Sequence, residues 1–281
     1  MIDEILMLRH GRTRYNLEHR LQGQVDVPLD IVGQWQADMS GMELARRYYW
    51  AKASAIAVDH ALMPRAGEGR DVVFQPEAGE YDEAPAAARR MVVVSSDLFR
   101  ASRTAHAFAD LVHVPVLEDR RLRERSFGRW EGMTRDEIRA MDAEAYDSWK
   151  HHTGGELRYG VEAREHVGAR GAVAVRDYLD DPRFSDRPTT LMLVSHGSWI
   201  VATIGTLLSA DPDGATVLGA MRNAFWCRLS VHRTLNGAPC APRMELEELN
   251  VGPAVAASCD WGDGPAFLRG GSMAAWPPVP R

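Results

Sequence analysis

Cysteine is scarce in this 281-residue chain: Cys227, Cys240 and Cys259 lie far apart, with no CxxC pair and no zinc-type His/Cys spacing. That excludes a disulfide framework and argues for a reducing compartment, with the cytoplasm as default. No apolar run approaches the roughly 20 residues needed to span a bilayer. The start Met1-Ile2-Asp3-Glu4 also lacks the basic region and apolar core of a signal peptide, so no membrane partner is expected. Positive charge is not in excess, since 33 Lys and Arg stand against 39 Asp and Glu for a formal net charge of −6. A general nucleic-acid surface is therefore excluded, and any phosphate affinity must come from a local arginine cluster. The ten histidines include no His-x-x-x-His pair, so neither a metal nor another cofactor is implied. Internal repeats and low-complexity tracts are missing too. Hydrophobic content of 45% with 26% charged residues instead suits an ordinary globular core.

Apolar, β-branched runs at 5–8, 91–95 and 191–195 read as buried strands, and 225–232 and 244–249 alternate as half-buried strands do. Helical periodicity occupies 32–49, 100–111, 162–179 and 198–208. Alternating strands and helices predict an α/β fold, a mostly parallel sheet covered on both faces in a three-layer α/β/α sandwich. One domain over residues 1–281 is expected. Residues 64–88, within a wider stretch near 60–90, are rich in Gly, Pro, Ala and acidic side chains and read as an exposed insertion, either a lid over the site, a surface excursion or an oligomer contact. From about Gly252 the chain becomes an irregular tail that Trp261 and Trp276 are expected to dock.

Chemistry concentrates at Leu8-Arg9-His10-Gly11, directly after Ile5-Leu6-Met7. A histidine at the C-terminal end of a parallel strand points into the crevice where open α/β sheets bind ligands. The adjacent glycine lets backbone approach an oxyanion closely. Alone, the tripeptide also fits a strand-end histidine without function. Three further blocks accompany it: Ser95-Ser96-Asp97-Leu98-Phe99-Arg100-Ala101, then Leu122-Arg123-Glu124 with Phe127-Gly128-Arg129-Trp130-Glu131-Gly132, then Leu193-Val194-Ser195-His196-Gly197. In order and spacing the four blocks, spanning residues 5 to 208, resemble the histidine phosphatase superfamily, also called phosphoglycerate mutase-like, in its phosphatase branch.

The resemblance implies a phosphomonoester hydrolase working through a phosphohistidine intermediate on a small phosphorylated metabolite, with a small-molecule phosphate ester as its partner. It places the nucleophile at His10, the second pocket histidine at His196, the general acid at Glu124 and the phosphate-holding guanidinium groups at Arg9 and Arg100. An imidazole attacks only when neutral, and nearby guanidinium groups disfavour its protonation while attracting the phosphate dianion. Gly11, Thr13, Asn16 and Gly23 look like the phosphate-cradling loop, although Thr13 and Asn16 also suit a helix cap. Arg12 stands where many members have Glu, either adding positive charge beside the pocket or facing solvent. Glu124 alone would also fit a surface pair with Arg123 or Arg125.

Two rivals remain at this stage. Phosphoglycerate mutases carry Glu-Arg-His-Tyr-Gly where this chain has Glu124-Arg125-Ser126-Phe127-Gly128, the form more usual in phosphatases, so mutase-type transfer ranks second. A non-catalytic phosphate-binding scaffold ranks third, because all five chemical positions are retained. Thr153-Gly154-Gly155-Glu156 and Gly160-Val161-Glu162 compete for one family match and receive no role. Trp35, Trp130 and Trp149 suit either a pocket or core packing, and His60, His151 and His152 are expected to face solvent. Oligomeric state and substrate identity are not legible.

Overall fold

The computed structural model describes residues 1–50, 90–208, 218–235 and 238–268. The insertion expected at 64–88 and the tail residue Trp276 lie outside the described residues. The described residues form six strands: β1 (Ile2–Arg9), β2 (Arg90–Ser95), β3 (Val116–Glu118), β4 (Thr189–Ser195), β5 (Trp226–Leu235) and β6 (Ala238–Val251). They form one sheet in the order β3-β2-β4-β1-β5-β6. Three of the five pairings, β1 with β4, β4 with β2 and β2 with β3, are parallel, while β5 runs antiparallel to β1 and to β6.

Strand side chains alternate between faces, and here both faces are apolar. Ile5, Met7, Val92, Val94, Leu191 and Leu193 belong to one core, packed with helices α6 (Arg164–Asp180) and α7 (Gly197–Leu208). Leu6, Leu8, Met91, Val93, Met192 and Val194 belong to the other, beneath the end of α2 (Ile31–Leu44) and α3 (Phe99–Ala109). The result is a three-layer α/β/α sandwich. Burial on both faces explains why these strands read as unbroken apolar runs.

Three helices escaped the sequence pattern: α1 (Arg14–Leu17), α4 (Arg135–Met141) and α5 (Ala143–His151). The last two carry a satellite cluster of Phe127, Trp130, Ile138, Tyr146 and Trp149 beside the sheet. Their start signals were nonetheless present, a Thr134/Glu137 capping box and an Asp142 cap. After Gly252 the chain forms short 3₁₀ turns, and buried Trp261 packs against Trp35 and Phe225 with ring centroids 5.0 and 5.8 Å apart. Among the described residues no helix is long and apolar enough to cross a membrane.

The register fixes where chemistry occurs. Arg9 aligns with Ser195, and Ser95 with Val194. The C-terminal ends of β1, β2 and β4 therefore finish level, and the residue after each strand, His10, Ser96 and His196, stands on one edge.

Candidate active site

His10 and His196 face each other with ring centroids 5.1 Å apart and planes at 60°. The His10 backbone N–H donates to Ser195 O at 3.0 Å, tying the two strand ends together. His10 Nδ1 lies 2.7 Å from Gly11 O. A carbonyl only accepts, so Nδ1 carries the proton and the neutral ring keeps a lone pair on Nε2. Burial, then Arg100 and Arg9, hold the His10 pKa well below the ordinary histidine value, which keeps that lone pair available. His196 is held low in the same way by burial and Arg100. Its Nε2 lies 2.9 Å from Ser96 Oγ. If the hydroxyl donates there, the proton resides on Nδ1, which is buried and has no partner among the described residues.

The two arginines beside these rings are buried and anchored at one end. Arg100 donates to Val25 O at 2.7 Å and Gly23 O at 2.8 Å, and Arg9 to Met221 O. Both keep a buried Nε without a partner among the described residues. Burial lowers Arg100 to about 10, still charged at neutral pH. Glu124 sits at the start of α7, where Oε1 accepts from Arg125 N (2.8 Å) and Trp199 N (3.1 Å) and Oε2 from Ser198 N (3.2 Å). These groups, with Asn16 and Gly23, line one cavity of about 570 Å³. The fold thus assembles Arg9, His10, Asn16, Gly23, Arg100 and Glu124 on one wall, with His196 behind His10.

Three expected phosphate ligands are not on that wall. The Gly11 N–H donates to Thr104 Oγ1 at 3.1 Å and so is already satisfied. Gly11 is needed for packing instead, because a Cβ there would stand 2.2 Å from Gly33 O. Arg12 turns away to Asp30 (2.8 Å) and to Gly262 O (2.6 Å) in the tail. Thr13 is the buried N-cap of α1, in a capping box with Asn16, and its hydroxyl reaches Gln22 Oε1 at 3.0 Å. Of the tryptophans, Trp149 lines the cavity, Trp130 is core and Trp35 packs on Trp261. His152 is exposed but belongs to the cavity wall.

Comparison with known proteins agrees with this geometry. The profile of the histidine phosphatase superfamily (branch 1) matches residues 5–54 and 78–236. The chain belongs to the histidine phosphatase superfamily. A glucosyl-3-phosphoglycerate phosphatase of Mycolicibacterium vanbaalenii is 32% identical over 263 residues, covering 91% of this chain and 97% of that one. A probable phosphoglycerate mutase of Escherichia coli is 27% identical over 237 residues, 83% of this chain and 86% of that one. Among solved structures, a mycobacterial glucosyl-3-phosphoglycerate phosphatase complexed with VO3 superposes with a TM-score of 0.62 at 28% identity, covering 89% of this chain and all of that one. The chain is accordingly a phosphatase, and the mutase alternative recedes.

Within this histidine phosphatase, sequence reasoning missed a supporting set. Gln22 lines the cavity, where its amide NH₂ has no acceptor among the described residues. Its neighbours in Leu21-Gln22-Gly23 were the available signal. Asn223 Nδ2 donates to His10 O (3.1 Å), Gly11 O (3.3 Å) and Asn16 Oδ1 (3.1 Å), which turns the Asn16 NH₂ end free. Nothing in the sequence around Asn223 signals this. Glu162 pairs with Arg170 at 2.9 Å, and Arg170 in turn donates to the carbonyls of Arg121, Arg123 and Glu124. Glu156 forms a buried pair with Arg125 at 2.9 Å. Both competing glutamates thus brace the loop that carries Glu124. The group of His232, Glu245 and Glu247 that could hold a metal ion is exposed on the β5–β6 hairpin, away from the cavity.

Proposed function

We propose that His10 Nε2 attacks the phosphorus of a small phosphorylated metabolite and that the P–O bond to the alcohol breaks as the N–P bond forms. Glu124 gives its proton to the departing alkoxide, then as a carboxylate takes one from water as that water displaces His10. Arg9, Arg100 and the His196 Nδ1–H, with the free amides of Asn16 and Gln22, stabilise charge on the transferring oxygens. The observation that carries this mechanism is the His10 ring itself, proton fixed on Nδ1 by Gly11 O and kept neutral by burial beside two guanidinium groups. The positive charge that balances the phosphoryl group is arginine's.

The substrate we favour is a phosphate ester of a sugar or sugar acid. Support comes from the near full-length similarity to enzymes named for glucosyl-3-phosphoglycerate and from a cavity much larger than one phosphate group. We further read residues 1–281 as one domain acting in the cytoplasm, in keeping with free thiols at Cys227, Cys240 and Cys259.

Acid-quenched enzyme given a labelled substrate should carry acid-labile phosphate on His10, and His10→Ala should abolish both label and turnover in the presence of EDTA. Label on another residue, or His10→Ala activity within tenfold of wild type, overturns the nucleophile assignment. Conversion of 3- to 2-phosphoglycerate faster than hydrolysis would restore the mutase reading.

A further inference from the structure

Ala224 has a φ of +56°, a left-handed backbone that an alanine keeps only where its neighbours hold it. Its N–H lies 3.1 Å from both Arg9 O and His10 O, and its carbonyl accepts from buried Ser40 Oγ at 2.7 Å. This bend sets the Asn223 amide against the nucleophile loop, where it spans His10 O, Gly11 O and Asn16 Oδ1. Trp261 of the docked tail reaches the same bend. Its indole N–H donates to Asn223 O at 2.9 Å, and its ring, only 3% exposed, packs against Phe225 and Trp35. The other side of the loop is gripped as well. Gln36 donates to Trp261 O at 2.6 Å and accepts from Arg12 N at 2.8 Å, while Arg12 donates to Gly262 O at 2.6 Å. Trp261 and Gly262 thus tie together the two chain segments that form the loop, 9–12 and 222–225. Yet among the described residues the tail contributes nothing to the cavity wall.

Resting on the phosphatase reading, we propose that Trp261 is a positioning residue for the reaction: it holds Asn223, and through Asn223 it holds the His10 backbone and the Asn16 amide in the geometry of phosphoryl transfer. An amide with two hydrogens shared among three oxygen acceptors stays in place only while its own backbone is fixed. The indole N–H supplies that fixation at Asn223 O. Packing on Phe225 and Trp35 needs only a ring, so the N–H is the part of Trp261 that packing does not explain. Without it the bend relaxes, the His10 backbone loses register with the phosphorus, and Asn16 loses the contact that leaves its NH₂ end to the transferring oxygens. Misplacement of reacting groups slows the chemical step more than it weakens substrate binding.

The test uses the full-length chain with p-nitrophenyl phosphate and glycerol 3-phosphate. Trp261→Phe keeps a ring against Phe225 and Trp35 and removes the N–H. Its kcat should fall about two- to tenfold, the worth of one hydrogen bond, with KM nearly unchanged and the protein folded at the assay temperature by thermal unfolding. Asn223→Ala should lose about tenfold in kcat. Adding Trp261→Phe to it should cost nothing further, because the side chain that the indole positions is then gone. A merely structural tryptophan gives a lowered unfolding midpoint with kcat per folded molecule unchanged, or losses that multiply in the double variant. Either result overturns the proposal. Asn223→Asp, equal in size but presenting an oxygen to three oxygens, should be slower than Asn223→Ala, and the reverse order overturns the role of the amide. His10→Ala is read separately: activity retained there refutes the phosphohistidine chemistry, whereas the coupling of Trp261 to Asn223 is judged on kcat alone.

Discussion

An imidazole kept neutral by burial makes the folded state reluctant to bind a proton, and that reluctance has a pH signature. The His10 and His196 pKa values both lie well below the ordinary 6.5, whereas the unfolded chain protonates them near it. Above about pH 7.5 both states hold neutral rings and the two histidines contribute no pH dependence. As pH falls through 6.5 only the unfolded state takes up protons, so stability declines, by at most about 1.4 kcal/mol per pH unit for each ring. His10→Asn should therefore show a shallower loss of urea stability between pH 6.5 and 5 than the wild type; identical slopes would exclude the burial account. The same residues show what a sequence reveals at this scale. Arg9, His10, Arg100, Glu124 and His196 were legible because each sits in a block at a strand or helix boundary. Gly11, Arg12 and Thr13 were misplaced because nearness to His10 along the chain is not nearness to the cavity. Thr104, Asp30 and Gln22 claim their polar groups from other elements.

At the scale of elements, the loop bearing Glu124 is held by ion pairs more than by regular structure. Arg125 and Glu156 are each about 4% exposed in their side chains and lie 2.9 Å apart. Removing one partner of such a pair leaves an uncompensated buried charge, at a cost of about 3–5 kcal/mol. Glu156→Ala should accordingly lower unfolding stability by that amount in urea titration, and a loss below about 1 kcal/mol would show that solvent already screens Arg125. Arg125→Met together with Glu156→Leu should recover much of the loss, since a matched apolar pair needs no counter-charge. The sequence displayed the long strands and helices because two-sided burial and 3.6-residue periodicity run over many positions. It did not display β3, three residues at a half-exposed edge, nor α4 and α5, whose exposed polar faces outweigh their few core residues.

For the whole molecule the decisive contrast is electrostatic. The chain carries a formal net charge of −6, yet among the described residues the cavity wall gathers Arg9, Arg20, Arg100, Arg135 and Arg164 against one acidic side chain, Glu124. No stretch of sequence announces this cluster, because its members come from five separate places and converge only when the sheet edge and the satellite helices are assembled. A cationic cleft in an otherwise anionic protein focuses its field on the entrance and draws in anionic substrates. Screening acts first on the exposed rim, since the Debye length shrinks to about 8 Å at physiological ionic strength, and much less on buried Arg9 and Arg100. Raising ionic strength from about 20 to 300 mM should therefore depress kcat/KM for a phosphate dianion on the order of tenfold while kcat changes little. Sodium chloride and sodium acetate should act alike at equal ionic strength, which separates screening from occupation of the site by one anion. A flat kcat/KM across that range would mean that the acidic surface cancels the rim charges before the substrate arrives. The arginines would then act only on contact.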